Sequence, residues 1–148
     1  VSGAVQTITI NNVAAVTNFG LTVSHDKGSN WKDNSLPKQD GYVVLDAQFD
    51  RSTLYVLIRN GSTPILHASS DSGKTWQKLD TPPIIRMRVS EKQIVATTLD
   101  HKLVISVDAG KSWITKELPE GFRYVEAINL GANCIFVGSE SGLAILRL

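Results

Sequence analysis

Hydrophobic and polar positions fall into short runs along this chain, and the runs recur in a fixed order. A nearly continuous apolar segment comes first, at Val13–Val16, Leu54–Ile58 and Ile94–Ala96. A turn follows, Asn18-Phe19-Gly20, Asn60-Gly61-Ser62 or Asp100-His101-Lys102, and then a shorter alternating run, Leu21–Val23, Ile65–Ala68 or Leu103–Ile105. Continuous apolarity predicts a strand covered on both faces, and alternation predicts one that is half covered. One more strand per unit is predicted upstream, over Gln6–Ile10, Tyr42–Leu45 and Ile84–Val89. Downstream come prolines at Leu36-Pro37, Thr81-Pro82-Pro83 and Leu118-Pro119, which suit the end of an outermost strand because proline cannot donate to a ladder. No stretch carries helical periodicity, so the chain reads as all-β.

Between the alternating run and the proline loop stands an octapeptide that holds all three tryptophans. Its copies are Ser24 to Trp31, Ser69 to Trp76 and Ser106 to Trp113, with the shared pattern Ser-x-Asp-x-Gly-x-(Asn/Thr/Ser)-Trp. The box residues are therefore Ser24, Asp26, Gly28 and Trp31, then Ser69, Asp71, Gly73 and Trp76, then Ser106, Asp108, Gly110 and Trp113. The box aspartates are 45 and 37 residues apart, close to the roughly 40–45 residues of one four-stranded propeller blade. Each residue type has a structural purpose. Serine and aspartate side chains fold back onto the amides of a hairpin loop, and glycine accepts a positive φ. A tryptophan opening the next strand buries a large flat surface, worth about 3–5 kcal/mol in a core.

The octapeptide resembles the Asp-box, or bacterial neuraminidase repeat. That resemblance implies a β-propeller of the kind found in sialidases, sortilin-type receptors, xyloglucan-cleaving glycosidases and photosystem II assembly factors. In such families the boxes lie at the periphery, away from the central site. Those propellers have six or more blades. Here the repeats run over about 6–41, 42–83, 84–121 and 122–148, giving three complete box-bearing blades and a partial fourth within one predicted domain, 1–148. In the fourth unit Tyr124–Ile128 and Cys134–Val137 are the expected first strands, Ser139–Gly142 the turn and Leu143–Leu146 the third strand. Aligning Leu143 with Leu103 puts Leu148 where Asp108 stands, so the chain stops where a fourth box would begin. The segment Val1–Val5 is the expected substitute for the missing outer strand, covering an exposed edge.

Composition narrows the function classes. With 148 residues and 42% hydrophobic content the chain can bury a core. Its 15 basic and 14 acidic residues give no electrostatic case for nucleic acid or an anionic membrane. No apolar run reaches the roughly 20 residues of a membrane span. A single cysteine, Cys134, excludes an internal disulfide and Cys-x-x-Cys chemistry, and is read as a buried, inert thiol. A start at Val1 suggests processing, and with it a secreted, periplasmic or lumenal location.

Catalytic signals are weak. Sialidase chemistry needs an arginine triad and a Phe-Arg-Ile-Pro-type motif, to which only Phe122-Arg123 corresponds. Paired carboxylates would have to come from Asp46, Asp50, Asp100, Glu117, Glu120, Glu126 and Glu140, which read as solvated surface acids, with Glu126 facing a polar channel from its strand. His25, His67 and His101 have no metal-like spacing. No cofactor or metal is called for. The favoured function is a non-catalytic module that binds a protein partner, within a larger protein or assembly and with a homodimer as one possibility. The loops Lys38–Gly41, Asp50–Thr53 and Glu120–Phe122 would present the contacts, and Phe19, Phe122, Arg123 and Tyr124 are the candidate contact residues. The alternative is a carbohydrate-binding domain or a piece of a glycoside hydrolase, although the three tryptophans are committed to the boxes.

Overall fold

A computed structural model describes residues 3–8, 12–17, 20–33, 36, 42–122 and 124–148. Four antiparallel sheets account for all of the described regular structure, and no helix among the described residues is long and apolar enough to cross a membrane. The chain divides into two compact units, Val1–Leu79 and Asp80–Leu148, each holding two sheets.

The first unit begins with β1 (Gly3–Ile8), β2 (Val13–Thr17), β3 (Gly20–Ser24) and β4 (Lys32–Asp33), paired in that order. Its second sheet is β5 (Tyr42–Asp50), β6 (Thr53–Asn60), β7 (Thr63–Ser69) and β8 (Gln77–Lys78). Ala14, Leu21 and Val23 of the first sheet pack with Val44, Ala47, Phe49, Leu54, Val56 and Ile58 of the second, with Trp76 against the cluster. In this way the continuous apolar run Leu54–Ile58 becomes a central strand covered on both faces. A bulge between Val44 and Asp46 interrupts the β5–β6 register.

The second unit holds β9 (Ile84–Ser90), β10 (Gln93–Thr98), β11 (Leu103–Ser106) and β12 (Ile114–Lys116), then β13 (Ala127–Leu130), β14 (Cys134–Ser139) and β15 (Gly142–Arg147). Val95, Leu103 and Ile105 of its first sheet pack with Ile128, Ile135 and Val137 of its second. Tight hairpins join the strands. The β9–β10 turn puts both Glu91 and Lys92 at positive φ (50° and 67°), a two-residue hairpin that matches strand twist without glycine.

Two strand expectations change. Gly3, Ala4 and Val5 pair with Thr17, Val16 and Ala15 inside the first sheet, so this segment is not the outer strand of the fourth. That fourth sheet has three strands among the described residues. Its first strand also starts later than the apolar pattern suggested, at Ala127 instead of Tyr124. Tyr124–Glu126 form the approach to the strand, where the Glu126 amide donates to the Gly138 carbonyl at 2.9 Å and the Glu126 carbonyl accepts from the Arg86 guanidinium.

Candidate functional site

Each box is a closed hydrogen-bonded loop between the third and fourth strands of its sheet. In the second, Ser69 Oγ donates to Asp71 Oδ1 at 2.8 Å and accepts from the Gly73 amide at 2.7 Å. Thr75 donates twice to the same carboxylate, from its amide to Oδ1 at 2.9 Å and from Oγ1 to Oδ2 at 2.6 Å. The third repeats this with Ser106, Asp108 and Ser112, and the first uses Ser24, Asp26 and Asn30. These three donors on one carboxylate, joined at Asp108 by the Lys111 amide, favour its charged form, so Asp26, Asp71 and Asp108 are each held down at a pKa of about 2. The leading cause is the side-chain donor, Asn30, Thr75 or Ser112 respectively.

Two features of the boxes lay beyond sequence reasoning. The variable residue ahead of each glycine is left-handed too: Lys27, Ser72 and Ala109 have φ of 61°, 62° and 64° beside Gly28, Gly73 and Gly110 at 87°, 81° and 88°. Nothing in their side chains signals this, because the loop's hydrogen bonds impose it. The tryptophans are also less buried than their size suggested. Trp31 is 43% exposed and lies over Gly28, Trp113 donates from Nε1 to the Gly110 carbonyl at 3.2 Å, and Trp76, partly buried, packs against a core cluster. The outer strands that follow are only two or three residues long, too short to cover an indole.

The box loops are also tied to neighbouring turns at their own end. Asn12 links the Arg51 carbonyl (3.0 Å) to His25 Nδ1 (2.8 Å), and the His25 ring meets Phe49 edge-on at 6.2 Å. In the second unit the Ala109 amide donates to the Lys92 carbonyl at 2.8 Å. The turn at Asp50–Thr53 therefore belongs to this braced end.

The opposite end of the second unit is built differently. Here the β10–β11 turn, Thr98–Lys102, is a small staple of its own. Thr98 Oγ1 donates to Asp100 Oδ1 at 2.5 Å and accepts from the Lys102 amide at 3.0 Å, and Lys102 Nζ pairs with Asp100 Oδ2 at 2.7 Å. Lys102 and Thr98 hold the Asp100 carboxyl down at a pKa of about 2. Within this turn His101 sits at a φ of 62°, and its ring meets Tyr124 edge-on, centroids 4.6 Å apart and planes at 82°. Tyr124 is 56% exposed. Ser141 Oγ, from the β14–β15 turn, donates to the Gly121 carbonyl at 2.8 Å and anchors the approach to Tyr124. The surface is thus an amphipathic aromatic pair on two hydrogen-bonded turns. The Thr-x-Asp sequence of the first turn was the available signal for it, since it repeats the Ser-x-Asp chemistry of the boxes.

Of the four candidate contact residues, Tyr124 alone is placed in the open. Phe122 packs against the core cluster of the second unit, and Phe19 and Arg123 lie outside the described residues, as does the loop 38–41. Among the acids, Asp46 is not a solvated surface group: it is buried on β5, its Oδ1 accepting from the Ala47 amide at 2.9 Å and Gln48 Nε2 at 3.1 Å. Glu126 is exposed ahead of its strand. Burial holds the His67 pKa below its usual value, and its Nδ1 has no partner among the described residues. Cys134 is a half-buried free thiol. No group of three or more His, Cys, Asp or Glu among the described residues could hold a metal ion.

Neither a protein-family model nor a curated protein matches this chain. Solved structures do. YCF48 bound to D1 peptide aligns with a TM-score of 0.68 at 13% identity, over 99% of this chain and 50% of its own. The computationally designed Ika4 protein aligns at 0.67 and 14% identity, over 99% and 91%. The GH74 enzyme of Niastella koreensis gives 0.67 and 15%, over 97% and 22%. This chain therefore spans about half the length of the YCF48 structure it matches. Likeness at such identities is likeness of fold, and the four antiparallel sheets are of the β-propeller kind.

Proposed function

We propose that this chain is a non-catalytic binding module that holds a protein partner on the hairpin end of its second unit. The observation that carries this reading is the exposed Tyr124 ring braced by His101. A tyrosine fixed by packing offers a large apolar face and a hydroxyl at little further entropy cost, which is why tyrosine is enriched at protein interfaces. The neighbouring Asp100–Lys102 pair supplies a polar rim. Support also comes from the fold neighbour YCF48, whose structure is of the protein bound to D1 peptide. Affinity capture from the native source, followed by measurement of the isolated partner's affinity, tests the reading. Tyr124→Ala should weaken that partner by about 1–2 kcal/mol, roughly tenfold. Unchanged affinity for Tyr124→Ala and His101→Ala together would reject this surface.

A carbohydrate-binding reading has one observation in its favour, the exposed indole of Trp31, which can stack on a sugar ring. The fold is also that of a glycoside hydrolase. A glycan array showing binding that Trp31→Ala removes and Tyr124→Ala spares would select it.

A further inference from the structure

We infer that the outer strand of the second sheet is an acid-sensitive latch: a proton on His67 releases β8 from β7 and loosens the Trp76 indole, while β5, β6 and β7 stay paired. By register, the residue two places before each box serine faces the outer strand of its own sheet, and the three box-bearing sheets differ there. Thr22 stands opposite Asp33, Val104 opposite Thr115, and His67 opposite Lys78. Of these pairs, His67–Lys78 is the one that can carry two like charges, which are destabilising when directly opposite. The Leu79 amide donates to the Leu66 carbonyl at 2.9 Å, so Leu66–Leu79 and Ala68–Gln77 are the hydrogen-bonded pairs. His67–Lys78 lies between them as a non-hydrogen-bonded pair, the kind whose side chains stand closest.

The resting state of this imidazole is neutral. Its Nδ1 is buried without a partner among the described residues, so the neutral ring carries its proton on Nε2. A second proton has to enter at Nδ1, where a buried donor without an acceptor is costly. The groups around the ring do not remove that cost. Val56 stands opposite His67 on β6, and Ala47 opposite Val56 on β5. On β7 itself Ile65 and Ser69 share the face, and beyond Ser69 the Asp71 carboxylate is already occupied by Ser69 and Thr75. Trp76 precedes β8 on this face, and the first sheet brings Leu21, Val23 and, opposite Val23, the charged Lys32. Burial and Lys78 both disfavour the charged ring, and the Ile65 carbonyl offsets only part of this.

The element able to give way is β8. Both of its residues are exposed, and it meets β7 only at His67 and Ala68. β6 and β7, in contrast, pair along their whole length, from Leu54 with Ser69 to Asn60 with Thr63. The partly buried Trp76 and the buried Leu79 hold the strand in place while the ring is neutral. Once β8 leaves, the imidazole meets water and takes up a proton below about pH 6.5, so acid favours the open form.

Amide hydrogen exchange on the full chain tests this, with rates expressed as protection relative to an unstructured peptide at each pH. From pH 7 to pH 5 the box carboxylates stay charged, and protection of the Gln77 and Leu79 amides should fall about tenfold or more. Throughout, these amides should stay less protected than those of Leu54–Ile58. Equal protection of the two groups at pH 5 would mean that the proton acts on the whole unit, and overturns the latch. His67→Gln should hold the Gln77 and Leu79 values within about twofold over the same range, and a fall of wild-type size in that variant overturns the role of His67. Lys78→Glu, at an exposed position, makes the opposite pair attractive and should cut the fall to about a third or less. An undiminished fall in Lys78→Glu overturns the inference, and this variant decides alone if His67→Gln loses the wild-type circular dichroism spectrum at pH 7.

Discussion

Thr75 and Asp71 grip one another at both carboxylate oxygens, the amide to Oδ1 at 2.9 Å and the hydroxyl to Oδ2 at 2.6 Å. The pair closes a loop whose other side is held by Ser69 on the Gly73 amide. Removing the carboxylate therefore orphans several donors at once. Asp71→Ala should lower the urea midpoint more than Asp71→Asn, which keeps one acceptor oxygen, and Thr75→Val should fall between wild type and Asp71→Ala. Equal midpoints for the two Asp71 variants would contradict this account of the staple.

Acid should dismantle the staples together. Asp26, Asp71, Asp108 and Asp100 have folded pKa values of about 2 against an ordinary 3.8. Their contribution is present above the unfolded value and is lost as pH falls from about 4 toward 2, where the unfolded chain takes up protons first. His67 acts in a higher window. Its folded pKa lies below 6.5, chiefly from burial, so stability falls as pH drops below that value, and His67→Gln should flatten this part of the profile. Urea midpoints between pH 7 and pH 2 separate the two windows.

Two glycines should fail for opposite reasons. Gly28 has a φ of 87°, and a methyl group there meets Trp31 at an ordinary 3.5 Å, so Gly28→Ala should cost about 1–2 kcal/mol through the backbone alone. Gly131 has no such φ, but a Cβ would stand 2.8 Å from Cys134 Sγ and 3.1 Å from Phe136. Gly131→Ala should cost about 1–3 kcal/mol by overpacking. Cys134→Ala should recover part of the Gly131→Ala loss and none of the Gly28→Ala loss in a double-mutant cycle.

The packing between the third and fourth sheets should respond to volume. Ile135 is fully buried in the cluster with Leu103 and Ile105. Ile135→Val should cost about 1 kcal/mol and Ile135→Ala about 2–4 kcal/mol in equilibrium unfolding.

The central and third strands were legible because each buries a regular run: Leu54–Ile58 and Leu103–Ile105 appear as β6 and β11 with little change. Tyr124–Glu126 misled, since an apolar pattern records what a segment can bury and not which neighbour it meets. Here Tyr124 meets the His101 ring of another sheet's turn, and only the Glu126 amide, on the Gly138 carbonyl, reaches the neighbouring strand β14. The candidate surface was half legible. Tyr124 could be named, but its partner lies 23 residues earlier on a turn whose Thr98–Asp100 staple gives no hydrophobic signal.

Local chemistry is what the sequence determined by itself: where the central strands run, which hairpins need a staple, and that Ser, Asp and Gly at fixed offsets supply it. Those outcomes depend on residues within a few positions of one another, so spacing along the chain carries the information. Tertiary structure decided which strand the amino-terminal segment joins, how far each tryptophan is covered, and that Asp46 is buried. Burial is a property of the neighbour across the sheet, and spacing along the chain does not name that neighbour.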